Sequence, residues 1–203
     1  MLSGKKVAVI GVGKLGEALI AGLVKDGAIK AKDVTGTVAR EASLTRVQER
    51  LGIDVSLDNK KCVRGADIIL LAVKPQNMDK VLREIADELT VDQLLISVAA
   101  SVSTTFVQER VKANMPVIRA MPNTPCVINA GMTGLCGGAH ATQDHLKSCE
   151  AIFACVGKTV FVDESLMDAV TALSASGPAY LYVVIESLAE AGVKLGIPRE
   201  IST

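Results

Sequence analysis

The stretch Lys5-Lys6-Val7-Ala8-Val9-Ile10-Gly11-Val12-Gly13-Lys14-Leu15-Gly16 reads as a buried strand, a glycine turn and the first turn of a helix. Val7 to Ile10 is a short apolar run, the pattern of a strand covered on both faces. Gly11 to Gly16 then supply G-x-G-x-x-G. Gly11 allows a tight turn, Gly13 lets a pyrophosphate approach the backbone, and Gly16 lets the helix pack close to the strand. Free N–H groups at the helix N-terminus would face the phosphates. Glycines gather in turns for many reasons, and it is the preceding strand and the following helix that turn this triplet into a dinucleotide site.

Working outward, Leu15 to Asp26 carries apolar residues at helical spacing and ends at Gly27. Asp33 to Val38 reads as a second strand, Ser43 to Leu51 as a helix ended by Gly52, and Ile53 to Val55 as a short strand before a loop at Asp58 and Asn59. Asp67 to Val73 is a buried strand stopped by Lys74-Pro75, and a helix runs from Asn77 or Met78 to about Leu89. Leu94 to Val98 and Val117 to Met121 are further strands, with a helix capped by Ser103-Thr104-Thr105 between them. This alternation calls for a doubly wound α/β sheet with parallel strands. Pro122 to Gly138 reads as loop, Ala141 to Ala154 as helix and Thr159 to Val162 as a last strand. After Ser165 to Leu173, also helical, Ser174-Ala175-Ser176-Gly177-Pro178 breaks the chain before a long apolar helix, Ala179 to Leu195. Glu186, Glu190 and Lys194 share one stripe of it, which predicts a buried helix with one wet face. Pro198-Arg199-Glu200 starts another helix, with only Ile201, Ser202 and Thr203 after it, so the chain is expected to stop just as a helical domain begins.

Composition narrows the function. Basic and acidic residues number 22 each with no long single-sign block, which argues against nucleic acid or an anionic membrane as the main partner. Two Tyr, three Phe and no Trp leave little for base stacking. The five cysteines, at 62, 126, 136, 149 and 155, include no C-x-x-C pair, so neither a disulfide framework nor a zinc site is signalled. Most of them read as small buried hydrophobes in a reducing compartment, and His140 and His145 as solvated or capping residues, with no metal expected. The four-residue apolar run before Gly11 is too short for a signal peptide or a membrane span, and the expected location is the cytoplasm.

Cofactor choice is read at the end of the second strand, where an acid selects NAD and small polar or basic residues admit a 2′-phosphate. That end is Thr35-Gly36-Thr37-Val38-Ala39-Arg40, with Asp33 at the wrong end and Glu41 only afterwards. Thr37 and Arg40 can donate to a phosphate, which favours NADP(H) over NAD(H). Other strand ends offer Ala72-Val73-Lys74-Pro75, the small Ala99-Ala100-Ser101, and Asn123-Thr124 on a proline-stiffened loop. No Ser-His-Asp set or carboxylate pair stands out, so catalysis would rest on holding a hydride donor against an electrophile.

Four segments together carry a family resemblance: Ile10-Gly11-Val12-Gly13-Lys14-Leu15, Ala72-Val73-Lys74-Pro75, Val117-Ile118-Arg119-Ala120-Met121-Pro122-Asn123-Thr124-Pro125 and Leu173-Ser174-Ala175-Ser176-Gly177-Pro178-Ala179-Tyr180. In order and spacing the chain resembles pyrroline-5-carboxylate reductase, the last enzyme of proline biosynthesis. The resemblance implies a Rossmann-like NADP-binding domain over residues 1–162. It implies that residues 163–203 begin an all-helical dimerisation domain, with a homodimer or larger ring for the full-length family. It implies an oxidoreductase in which NAD(P)H gives hydride to C5 of the cyclic imine 1-pyrroline-5-carboxylate, forming L-proline. By this match Ile10, Gly11, Val12, Gly13, Lys14 and Leu15 hold pyrophosphate, and Asn59 with Thr37 and Arg40 holds the ribose phosphate. Ala72, Val73, Lys74, Pro75, Ala99, Ala100 and Ser101 hold the nicotinamide half; Asn123, Thr124, Ser176, Gly177 and Pro178 lie near the substrate.

The chain departs from the family in two places. Ser101 stands where many relatives have glycine. The family's serine-proline-glycine-glycine-threonine segment, which binds the substrate carboxylate and supplies the hydroxyl near the imine nitrogen, would lie beyond Thr203, and the catalytic residues with it. Two other readings stay open: an NADP-binding protein or fragment without catalysis, and a related small-substrate dehydrogenase, for which Lys194 is the one candidate catalytic lysine. A chain ending at Thr203 is also expected to leave apolar faces between Ala179 and Leu195 exposed unless a partner covers them.

Overall fold

Alternate residues of the central strands serve two separate cores. The computed structural model describes residues 2–203. Its strands are β1 (Val7–Ile10), β2 (Val34–Thr37), β3 (Asp54–Ser56), β4 (Ile68–Leu71), β5 (Leu94–Ser97), β6 (Val117–Met121), β7 (Gly131–Gly137) and β8 (Gly157–Phe161). They form one sheet in the order β3-β2-β1-β4-β5-β6-β7-β8. The first six are parallel, β7 is antiparallel to β6, and β8 is parallel to β7. The helices are α1 (Lys14–Lys25), α2 (Leu44–Leu51), α3 (Asn59–Val63), α4 (Pro75–Ile85), α5 (Thr104–Gln108), α6 (Gln143–Ala154), α7 (Met167–Val170), α8 (Gly177–Lys194) and α9 (Arg199–Ser202).

Val7, Val9, Ile68 and Leu70 face a cluster that includes Leu19, Leu23 and Val47 from α1 and α2, and Ile152 and Phe153 from α6. Ala8, Ile10, Ile69 and Leu71 face the opposite cluster, built on Val63 of α3, Met78, Leu82 and Ile85 of α4, and Val107 of α5. Period-two burial on both faces is the physical reason these strands read as unbroken apolar runs. Leu19 and Leu82 are fully buried, so trimming either to Ala removes about 2–5 kcal/mol of stability.

Local chemistry sets several boundaries that the sequence misplaces. Pro75 occupies the first turn of α4, where its missing N–H costs nothing, so the helix starts before Asn77. Asp58 accepts the Lys61 N–H at 2.9 Å and caps the short α3, where the sequence suggests only a loop. Ser103 caps α5 through the Phe106 N–H at 3.1 Å, as expected. His145 does act as a capping residue: its Nδ1 accepts the Thr142 N–H while Thr142 Oγ1 accepts the His145 N–H.

The larger difference lies between Pro122 and Gly138. Glycines there suggest loop, yet Gly131 to Gly137 is a seven-residue strand. They answer to packing rather than to turning. A Cβ on Gly131 would collide with Cys126 Sγ, and one on Gly134 would stand 2.9 Å from Val170 Cγ1.

The C-terminal helices also depart from expectation. The sequence offers Ser176 or Gly177 as a cap for α8, yet Ser176 makes no capping bond, because the chain enters that helix from a widened π-turn over Thr171–Ala175. Nor is α8 a buried helix with one wet face. Leu181, Val184, Ile185 and Leu188 are all more than half exposed, and Ala189 is its one buried residue. The short α9 is held by α8 itself: Ser202 Oγ donates to Ala189 O at 2.7 Å and Arg199 pairs with Glu190.

An ion-pair cluster on the α4–α5 surface gives the fold a measurable acid response. Asp79 accepts from Arg83 Nε at 2.8 Å and Arg110 Nε at 2.6 Å, and Arg110 also lies over the Phe106 ring at 3.5 Å. The hydrogen bonds from Arg83 and Arg110 pull the Asp79 carboxyl down to about 2. A depressed carboxyl stabilises the fold above its unfolded pKa, near 4, and that contribution fades as pH falls toward the folded value. Thermal midpoints of the protein and of Asp79→Asn should therefore differ at pH 6 and converge by about pH 2. Profiles that stay parallel over that range would contradict this assignment.

Candidate functional site

The turn between β1 and α1 lies where the strand order reverses: β2 and β3 lead away on one side, and β4, β5 and β6 on the other. Open α/β sheets bind ligands at such a point, beyond the carboxyl ends of the strands. Gly11 has φ +89°, and a Cβ on it would stand 2.9 Å from Val73 Cγ1 and 3.1 Å from Ala72 O. Both conformation and space require glycine there.

The amides of this turn divide into two groups. Gly11 N donates to Thr37 Oγ1 at 3.2 Å, Val12 N to Thr37 O at 2.7 Å, and Gly13 N to Gly11 O at 2.9 Å. Those three are spent on the fold. The first bond of α1 runs from Glu17 N to Gly13 O, which leaves the amides of Lys14, Leu15 and Gly16 without an acceptor among the described residues. They form the N-terminal end of a twelve-residue helix, with its positive dipole end. Beside them nothing lies within 4 Å of where a Gly13 Cβ would stand, so that face of the turn is open. Gly16 is less constrained than its place in the motif suggests, since a Cβ would meet Gly11 O at an ordinary 3.4 Å. Gly36 of β2 matters more for packing: a Cβ there would come 2.7 Å from Val12 Cγ2.

A cleft of about 270 Å³ continues from Gly11 past Thr37, Ala39 and Asn59 to Val73 and Glu84. Thr37 is 2 % exposed and its hydroxyl oxygen braces the turn, a structural duty the sequence does not announce. Asn59 Nδ2 donates to Glu84 Oε2 at 3.1 Å across the cleft. Arg40 is exposed and forms no ion pair among the described residues. No carboxylate stands at the end of β2, because Asp33 lies in the turn before that strand and Glu41 in the turn after Arg40.

At the ends of β4 and β5, Ala72 and Val73 are half-buried, Lys74 and Pro75 are exposed, Ala99 is buried and Ala100 half-buried. Ser101 is exposed with φ +58°, a left-handed conformation that glycine adopts at lower cost. Beyond β6, Asn123 spends both ends of its side chain: Nδ2 donates to Ser174 O at 3.3 Å and Oδ1 accepts from Met132 N at 2.9 Å. The loop carrying Thr124 is thereby joined to the segment leading into Ser176, Gly177 and Pro178.

Sequence reasoning passes over two charged groups. Glu17, 8 % exposed, pairs with Arg46 at 2.7 Å and Arg50 at 3.0 Å, fastening α1 to α2. Arg119, inside β6, is 4 % exposed and faces Glu164 and Asp168. A single cation in an otherwise apolar strand, Val117-Ile118-Arg119-Ala120-Met121, was the available signal. Burial pushes all five thiols up, Cys136 to about 11, so they stay neutral and unreactive near neutral pH. No group of three or more His, Cys, Asp or Glu converges on a metal site among the described residues.

The strand order and the glycine turn with its free amides define a class, the Rossmann-type nucleotide-binding oxidoreductases. Residues 6–101 match the family model described as NADP oxidoreductase coenzyme F420-dependent, and residues 164–203 the one described as pyrroline-5-carboxylate reductase dimerisation. The chain is 40% identical over 199 residues to the pyrroline-5-carboxylate reductase of Methanosarcina acetivorans, covering 98% of this chain and 74% of that protein. The solved reductase from Coxiella burnetii matches with a TM-score of 0.89 at 32% identity, covering 98% of this chain and 74% of that one. The Plasmodium falciparum reductase, solved with NADP bound, matches with 0.88 at 32% identity, covering 100% of this chain and 74% of that one. This protein belongs to the pyrroline-5-carboxylate reductase family.

Two backbone positions at the site can be told apart by stability alone. Gly11→Ala should destabilise the fold by about 2 kcal/mol or more, through the left-handed φ and the contact with β4. Ser101→Gly should instead stabilise it by about 0.5–1 kcal/mol, because a serine is relieved of that conformation. Urea unfolding of both variants checks the pair, and shifts of the same sign would contradict it.

Proposed function

We propose that this protein reduces 1-pyrroline-5-carboxylate to L-proline with NADPH. The observation that carries the reading is the set of free amides at Lys14, Leu15 and Gly16 beside the open face of Gly13, at the switch point of the sheet. Such a set fits a pyrophosphate, which needs several N–H donors and room close to the backbone. When bound, the reduced nicotinamide supplies a hydride to C5 of the imine, and the C=N electron pair passes to nitrogen.

In this reading the segment Ile10 to Leu15 lies against the pyrophosphate, with the α1 amides donating. Thr37 acts indirectly, through the turn it braces. Arg40 and Asn59 serve the adenosine ribose, and the exposed guanidinium of Arg40, which forms no ion pair among the described residues, favours a 2′-phosphate, hence NADP(H) over NAD(H). Ala72 to Pro75 and Ala99 to Ser101 border the nicotinamide half, where small side chains leave room for a flat ring. Asn123, Thr124 and the Ser176–Pro178 segment border the imine. A protonated imine is already electrophilic, so orientation and exclusion of water contribute more here than a strong acid. Residues 1–162 are the cofactor domain and 163–203 part of a helical dimerisation domain. The apolar, exposed α8 supports that division, since a helix with so little cover in its own chain needs a partner surface.

Oxidation of NADPH followed spectrophotometrically with 1-pyrroline-5-carboxylate tests the activity; binding of NADPH without turnover at saturating imine would overturn it. Gly13→Ala should weaken NADPH binding by about 10-fold or more while leaving the unfolding midpoint in place, because the added methyl enters only the ligand's space. Arg40→Ala should weaken NADPH by about 10-fold and NADH hardly at all, and equal losses for both would remove the 2′-phosphate role. In sedimentation analysis the protein should associate, and Ile185→Asp should break that association. A monodisperse monomer would contradict the interface on α8.

A further inference from the structure

Arg119 is a buried cation outside the cofactor cleft. Its Nη1 lies 3.6 Å from Glu164 Oε1 and its Nη2 3.4 Å from Asp168 Oδ1, while its Nε has no acceptor among the described residues. Asp168 is 89% exposed, so water screens that pair and Glu164 is the partner that matters. Glu164 does more than neutralise the arginine. Its Oε1 accepts the Thr104 N–H at 2.7 Å and its Oε2 the Thr104 hydroxyl at 2.5 Å, across 60 residues of sequence. One carboxylate thus joins the first turn of α5, the interior of β6 and the start of the C-terminal helical segment.

The placement of this junction suggests its use. Glu164 and Asp168 lead directly into the π-turn, closed by Ser176 N donating to Thr171 O at 2.9 Å, and then into Ser176, Gly177 and Pro178. The far end of that turn is tied down by Asn123, through Ser174 O. Arg119 lies in β6 and Asn123 in the loop that leaves it, so this strand and its loop hold the segment both ahead of the π-turn, through Glu164, and within it, through Ser174. Widened turns of this kind are frequent at functional sites. Met167, fully buried against Met121 and Cys136, supplies a separate apolar anchor. Loss of the ionic contact would accordingly shift the segment without releasing it.

We propose that Arg119, acting through Glu164, is a positioning residue that sets where the Ser174–Pro178 segment stands relative to the carboxyl end of β6. This rests on the imine-reductase reading for its catalytic consequence, though not for its structural one. Arg119→Met should accelerate hydrogen exchange of the 171–177 amides by about 10-fold while amides of β1 to β5 stay protected. The kcat/KM for 1-pyrroline-5-carboxylate should fall by about 10- to 100-fold with the NADPH dissociation constant unchanged, because a displaced orienting segment costs turnover rather than cofactor binding. Arg119→Lys, which keeps the charge, should recover part of that loss. If Arg119→Met does not fold, Glu164→Gln gives the same comparison with the carboxylate's shape retained, and the same selective changes are expected. Unchanged exchange at 171–177, or acceleration spread evenly over β1 to β5, would overturn the proposal. Absence of imine turnover by the unsubstituted protein would overturn the functional reading instead, and the exchange measurement would still decide the role of Arg119.

Discussion

Thr37 holds the glycine turn with two oxygens, its hydroxyl accepting Gly11 N–H and its carbonyl accepting Val12 N–H. The geometry of the cofactor end depends on this pair of bonds. They fix the turn from the neighbouring strand, so that the left-handed Gly11 can sit tight against β4 and the chain can enter α1 with its first amides unspent. Without the brace those donors would have no defined direction, and directed donors are what an anion needs. The same register places Gly36 beneath Val12, where any side chain would push the turn outward. Turn, strand end and helix start are therefore one unit contributed by two strands.

Much of this was legible in the sequence because each feature has a strong local cause. Unbroken apolar runs at Val7–Ile10 and Ile68–Leu71 mark strands buried on both faces, and the glycine triplet marks the turn. What escaped was set by tertiary contact. The strand at Gly131–Gly137 reads as loop because glycine signals turning, whereas here it signals the nearness of Cys126 and Val170. The burial of Thr37 and its duty as a brace depend on a partner 26 residues away. Ser101, which stands where many relatives have glycine, occupies a left-handed position, which no periodicity can reveal. Arg119 was visible as a charge inside a strand, but its partners lie beyond the reach of any local pattern.

The two halves of the chain have different energetic standing. The sheet carries two closed cores, one on each face. The helical segment after Glu164 rests on the sheet through Met167, Arg119 and Asn123 and then runs out into solvent as α8. The cores that stabilise the sheet are thus formed within the single chain. The order of α8 is coupled to whatever covers its apolar surface, by the mass-action rule that binding partners lend stability to the state they bind.

In the proposed function the amides of Lys14, Leu15 and Gly16, and not those of Gly11, Val12 and Gly13, receive the pyrophosphate of NADPH. Amide chemical shifts recorded during an NADPH titration test it most directly. The account predicts large downfield changes at Lys14, Leu15 and Gly16, as expected for N–H groups that gain an anionic acceptor, with smaller changes at the three amides already bonded within the turn. Saturable NADPH binding that leaves the α1 amides unmoved would contradict it.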